Sequence, residues 1–154
     1  DDVAERFGAM SQLDDDVIMR DAMQAADALG VERVGLIGYC MGGMYCHKAA
    51  QYERFARIAS FYGMIHVPSD WAGPKQGEPI ACLKTGNADR VLAIIGSQDP
   101  YTPPAQVEEL RDAGVIVVEY KEAAHGFAHD SARPAHRAED AADAFSRTHR
   151  WLLS

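Results

Sequence analysis

Apolar residues along this chain follow two alternating patterns. Residues 14–29 place Ile18, Ala22, Ala25 and Leu29 on one face of a helix; Asp14, Asp15 and Asp16 suit its electropositive start, and Gly30 stops it. Val3, Phe7 and Met10 repeat that spacing and predict a short preceding helix. Residues 34–37 form instead a short unbroken apolar run, the mark of a strand buried on both faces. A helix is then expected from Gly42 to about Tyr52, and a strand over residues 56–62 closed by Gly63. Residues 91–95 read as a third strand, and Pro103 and Pro104 open a helix that runs to Ala113 and stops at Gly114. Residues 115–120 are a β-branched strand, and a helix from about Pro134 to Leu153 closes the chain. Ala138, Ala142, Phe145 and Leu152 are expected on its inner face. Residues 64–89, rich in Pro, Gly and polar side chains, predict a long irregular connection, often the functional part of a domain.

Buried strands alternating with amphipathic helices imply an α/β fold, a mostly parallel sheet flanked by helices, in one domain over residues 1–154. Such sheets bind ligands beyond the carboxyl ends of their strands. Three of the four predicted strands end at a residue able to do chemistry: Cys40 after the first, Asp99 after the third and His125 after the fourth.

The run Gly38-Tyr39-Cys40-Met41-Gly42-Gly43 has the form of a nucleophile elbow with a thiol in place of the usual hydroxyl. A tight strand-to-helix turn needs almost no side chain two positions before and after the nucleophile, where Gly38 and Gly42 stand, and Gly43 lets the helix approach the sheet. At a helix N-terminus Cys40 would be favoured as thiolate. The order nucleophile, acid, histidine is the one expected of the α/β-hydrolase triad. Cys40 would attack an acyl carbon, His125 would move the proton, and Asp99 would fix the imidazole tautomer and offset its charge.

Other residues compete for these roles. Asp99 could simply cap its turn, and Asp70 is a weaker alternative acid. His66 also follows the second strand, His47 should face off the helix behind the elbow, and His136 and His149 should sit on solvated faces of the last helix. His125 and His129 with Asp130 have a spacing compatible with metal, but no helix or third ligand supports one, so no metal is expected. Cys46 and Cys82 read as packed apolar residues. The glycines do not match a dinucleotide fingerprint, and no cofactor is expected.

Composition narrows the partners. With 154 residues, 47% hydrophobic and 25% charged, the chain can bury a sizeable core. Its net charge of −8 argues against nucleic acid and anionic membrane surfaces as partners. No apolar run is long enough to span a bilayer and no leader-type segment is read. Three cysteines without metal-type spacing fit a reducing cytoplasm. The start at Asp1, in polar helix rather than strand, points to a fragment, a processed chain or an unusually short product.

With the elbow, the strand ending Phe61-Tyr62-Gly63, Gly96-Ser97-Gln98-Asp99 and His125-Gly126-Phe127 in this order, the chain resembles the dienelactone hydrolase family. The resemblance covers nearly all of the chain and the latter part of the family's domain. It implies an α/β-hydrolase sheet with a Cys-His-Asp triad acting on a small ester or lactone, Cys40 being nucleophile, Asp99 acid and His125 base. It also implies that Met41 gives a backbone N–H to the oxyanion hole and that Tyr62 and Phe127 stand near the substrate pocket. The family's early strands precede this region and bring the second oxyanion donor and an acidic residue that modulates the thiol. Serine and arginine beside the family's histidine bind a substrate carboxylate, where Gly126 and His129 stand here. The alternatives are a catalytically silent, self-associating remnant and a relative of serine-dependent acyl transferases or peptidases. The elbow strand of such a sheet has two neighbours, one from the upstream region, so residues 34–37 are expected to keep one unpaired edge. A homodimer, or a separate chain supplying the missing strands, would cover it.

Overall fold

The computed structural model describes residues 8–154; Val3 and Phe7 of the expected first helix lie outside that range. Helix α1 (Asp15–Ala28) is followed by β1 (Val34–Tyr39), α2 (Met41–Ala49), β2 (Phe55–Phe61), α3 (Pro79–Thr85), β3 (Val91–Gly96), α4 (Pro104–Asp112), β4 (Ile116–Tyr120) and α5 (Ala138–Leu152). The four strands form one parallel sheet in the order β1-β2-β3-β4, so each strand pairs with the next in sequence. Strand β3 is buried at every residue, as its Val-Leu-Ala-Ile-Ile run requires. Among the described residues no helix is long and apolar enough to cross a membrane.

Strand β1 departs from the expected two-sided burial. It lies at the edge of the sheet with β2 as its neighbour, and Ile37 remains 40% exposed. Helix α1 is turned accordingly. Met19 and Ala26 are its buried residues, with Ala22 and Met23 packed beside them. Leu29 and Ala25, expected inward, are exposed. Ile18 and Ala22 border an apolar groove of about 370 Å³ whose other walls are Leu36, Ile37, Met41 and Tyr45. The helix is docked by Asp15, whose carboxylate accepts from the almost fully buried Lys48 ammonium at 2.8 Å and from the Gly77 N–H.

Two more differences have local causes. Within residues 64–89, expected to be irregular, Glu78 and Gly86 bracket α3, with Pro79 in its first turn. Proline cannot disturb a first-turn N–H that has no helical partner, so the Pro…Gly spacing was a helix signal. The last helix buries Ala141, Ala144 and Thr148 instead of Ala138, Ala142 and Phe145. Small residues let α5 close onto the sheet, and the Trp151 indole N–H donates to the Ile58 carbonyl at 2.9 Å.

Backbone crowding is concentrated where β1, α2 and β2 meet. A Cβ at Gly38 would lie 2.3 Å from the Gly42 oxygen, and one at Gly43 would lie 2.7 Å from the Gly63 Cα. Around Gly42 a Cβ would meet nothing within 4 Å, so crowding does not account for glycine there; Gly42 borders the open groove along β1. Gly38→Ala should therefore cost about 2–4 kcal/mol of stability, by forcing backbone apart in a packed region. Gly42→Ala should stay within about 1 kcal/mol of the parent. Urea unfolding midpoints of the two variants check this contrast.

Candidate active site

The crowded turn fixes the backbone of Cys40 at φ 54°, a conformation that L residues rarely adopt, directly before the first residue of α2. Strained positions of this kind cost about 1–3 kcal/mol and persist only where the surroundings impose them. Here the Cys40 N–H donates to the Phe61 carbonyl at 3.0 Å and the Ser60 hydroxyl donates to the Gly43 carbonyl at 2.9 Å. The thiol is thereby held at the helix start, where the Met41 N–H points at it.

Asp99 and His125 arrive from β3 and β4. The Asp99 side chain is wholly buried; one carboxylate oxygen accepts from the Tyr101 N–H at 2.9 Å and the other from His125 Nδ1 at 2.8 Å. The imidazole of His125 interacts in turn with the Cys40 thiol. Cys40, His125 and Asp99 thus form one connected line from strands β1, β4 and β3.

Electrostatics along that line are unequal. Burial alone would raise the Cys40 pKa, but the hydrogen bond and charge of His125, with the Met41 N–H, outweigh it against a smaller opposing effect of Asp99. The thiol therefore titrates below its ordinary value. Burial opposes the charge on His125 as well, yet its bonds to Asp99 and Cys40 push it up to about 9. Cys46, on the same helix but buried among apolar groups, is pushed up to about 12, and burial also raises Cys82.

A cavity of about 380 Å³ opens on Cys40 and His125, lined also by Tyr39, Met41, Met64, Trp71, Tyr101 and Arg133. Tyr62 and Phe127, expected near a substrate, are fully buried and stand outside this lining. Tyr62 packs edge-on against His125 with ring centroids 5.2 Å apart, and Phe127 lies against Tyr62 at 5.7 Å and Tyr120 at 5.2 Å. They support the wall from behind because the chain after β2 and after His125 turns inward. The sequence reading did not single out Tyr39, Tyr101, Trp71 or Arg133. Tyr39 and Tyr101 could have been found, since each lies within two residues of Cys40 or Asp99.

The remaining candidates have other surroundings. His47, expected to face off the helix behind the elbow, is fully buried because α2 is enclosed along most of its length; its Nδ1 lies 3.3 Å from the Met64 carbonyl, and burial pushes its pKa down to about 4. His66 reaches Glu78 and Glu109, Asp70 is exposed, and His136 precedes α5 and is half-buried. Among the described residues no three His, Cys, Asp or Glu side chains are grouped to hold a metal ion. A larger hollow of about 550 Å³, lined by Asp14, Asp15, Lys48 and Lys75, lies away from Cys40; its lysines are paired to those carboxylates.

Parallel strands with a strained residue between strand and helix, and an Asp–His pair behind it, define the α/β-hydrolase class of fold. The model of the dienelactone hydrolase family matches residues 2–154, and the chain belongs to that family. A Synechocystis protein named carboxymethylenebutenolidase is 34% identical over 122 residues, covering 75% of this chain and 48% of that protein. A Bradyrhizobium protein named 2-oxo-3-(5-oxofuran-2-ylidene)propanoate lactonase is 25% identical over 152 residues, covering 91% of this chain and 60% of that protein. The chain thus spans about half to three-fifths of the length of these curated relatives. A crystal structure described as a dienelactone hydrolase from Klebsiella pneumoniae shares the fold with a TM-score of 0.82 at 24% identity, over 94% of this chain and 63% of that one.

The thiol and imidazole should exist as an ion pair between the lowered Cys40 pKa and the His125 value of about 9. Limiting iodoacetamide at neutral pH should therefore label Cys40 well ahead of Cys46 and Cys82, as read by peptide mass mapping. In His125→Ala the pH at which Cys40 becomes reactive should move upward, because burial then acts on the thiol without its counterion.

Proposed function

We propose that this chain carries the chemical machinery of a cysteine-dependent hydrolase acting on a small lactone or ester. The observation that supports it most is the buried Asp99–His125 bond aligned behind a thiol whose pKa is lowered although it is half-buried. In this reading the Cys40 thiolate attacks the acyl carbon, and the carbonyl electrons move onto oxygen, which the Met41 N–H stabilises. When the tetrahedral adduct collapses, the C–O bond breaks and His125 gives its proton to the leaving oxygen. Neutral His125 then takes a proton from water as that water attacks the thioester, and the thiol leaves as thiolate. Asp99 holds the ring with Nδ1–H toward itself and Nε2 toward the reaction. Tyr62 and Phe127 keep the wall in place behind the site.

The substrate class follows from one side chain and two relatives. Arg133 brings a guanidinium to the cavity and makes no ion pair with any described residue, while aromatic rings line much of the remaining wall. Both relatives are named for lactones that bear a carboxylate. A lactone with a carboxylate arm, its ring against Tyr39 and Trp71 and its anion toward Arg133, is the ligand this lining fits best.

The open edge of β1 completes the reading. Half-exposed Ile37 borders an apolar groove with Ile18 and Ala22 of α1, Ala25 and Leu29 are exposed on the same helix, and neither charge nor proline interrupts residues 34–37. An edge of this kind recruits a strand, from a second copy of the chain or from a separate polypeptide stretch. The three free thiols fit a cytoplasmic setting.

An activated ester followed from mixing should show a burst stoichiometric with Cys40, absent in Cys40→Ala. Asp99→Asn should reduce turnover by about 10²- to 10⁴-fold, by loss of the tautomer and counter-charge. A full-rate burst in Cys40→Ala would overturn the thiol mechanism. Light scattering at micromolar concentration should report a species larger than the monomer. A monomer whose amides along residues 34–37 are protected from exchange would show the edge covered from within.

A further inference from the structure

The cavity at Cys40 has a neighbour that the mechanism leaves unused. A groove of about 250 Å³ is walled on one side by His66, Val67 and Pro68 and on the other by Pro100, Pro103 and Gln106. Both hollows are built from the same two stretches of chain. Residues 64–71 give Met64 and Trp71 to the cavity, and the positions between them to the groove. On the opposite side Tyr101 borders cavity and groove alike, and it is 46% exposed. The groove thus continues the cavity past a single side chain.

Its walls are held in advance. His66 stands between Glu109 of α4, 3.1 Å from Nε2, and Glu78 ahead of α3, 3.3 Å from Nδ1. Glu78 also accepts from the Val67 N–H at 3.1 Å, and three prolines fix φ along the two walls. Little ordering is therefore needed to fill the groove. No lysine or arginine lines it, and the carboxylates of Glu78 and Glu109 stand beside it through His66, so an uncharged occupant fits and an anion does not.

The place of the groove relative to His125 decides which end of a substrate reaches it. Two tyrosine rings pack edge-on against that imidazole. Tyr62, with centroids 5.2 Å apart, is fully buried, whereas Tyr101, at 4.9 Å, is open to solvent. The accessible side of His125 is therefore the Tyr101 side. In the proposed cycle His125 hands its proton to the leaving oxygen, so the leaving group departs toward Tyr101, and the groove lies beyond that ring.

We infer that the groove past Tyr101 is a subsite for the alcohol portion of an acyclic ester, an uncharged alkyl chain, with Tyr101 as the specificity-determining side chain between acyl and alcohol. The inference rests on the hydrolase reading above and extends its substrate class beyond lactones. In a lactone the leaving oxygen stays tethered to the acyl part and gives the groove nothing to hold. In an acyclic ester the acyl group passes to Cys40, and the alcohol, protonated by His125, leaves through the groove.

The test reads a ratio within each variant, so that a general loss of folding or catalysis cancels. Wild type should turn over hexyl acetate with a kcat/KM about tenfold above methyl acetate, because the added methylenes are buried only if the groove takes them. In Gln106→Trp and Val67→Trp, which fill the groove from opposite walls, the hexyl-to-methyl ratio should fall to near one. Methyl hexanoate, with a lengthened chain on the acyl side, should keep its own ratio to methyl acetate in both variants. A wild-type ratio near one, or a ratio that either variant leaves unchanged, would overturn the groove as a subsite. A loss for methyl hexanoate equal to that for hexyl acetate would overturn its assignment to the alcohol. If an activated ester gives its burst on Cys40 but neither acetate is turned over, the ester assignment falls while the hydrolase reading stands. If the burst itself is missing, both fall.

Discussion

The close approach of α2 to the end of β2 is the constraint on which the site depends. Gly43 and Gly63 touch backbone to backbone, Gly38 meets the carbonyl of Gly42, and Ser60 ties its hydroxyl to Gly43. No longer side chain fits between these segments. The chain must therefore turn within a single residue, and that residue takes the positive φ of Cys40. The same turn delivers the first free N–H of α2 to the thiol, so the sulfur and its nearest backbone donor are placed by one steric event.

Position on the helix does not by itself make a thiol reactive. Cys40 stands at the start of the short helix that carries Cys46, and desolvation pushes both toward the neutral form. Cys46 has nothing to oppose that effect. Cys40 meets an imidazolium whose charge is in turn sustained by a buried carboxylate, and this reverses the direction. The strands that bring Asp99 and His125 to it lie two and three places away in the sheet, which makes sheet order an electrostatic matter as well as a topological one.

The strands were legible because their signals are local. An unbroken apolar run such as Val91–Ile95 declares burial, and Gly closes the first three strands. The candidates Cys40, Asp99 and His125 were legible for a related reason: Cys40 follows β1 directly, and Asp99 and His125 stand in the short turns after β3 and β4, so predicting the strands also locates them. Faces and walls were harder. Ala141 and Ala144, which α5 buries, differ from exposed Ala138 and Ala142 only in where the helix happens to lean. The apolar stripe at Ile18, Ala22, Ala25 and Leu29 was visible, but its meaning depends on what lies next to β1. Arg133 and Trp71 reach the cavity through loops, whose geometry no periodicity encodes. Helix α3 was hidden by the polar composition around it, although its Pro and Gly limits were present.

Because each strand pairs with the next one in the chain, the sheet can grow in the order in which residues are made. The thiol enters with β1, its acid partner after β3 and its imidazole partner only after β4. A nascent chain that has emerged as far as α4 thus presents Cys40 without the counter-charge that lowers its pKa, and burial then acts on it as on any other apolar thiol. Its pKa is drawn below the ordinary value only when the stretch around His125 closes over it.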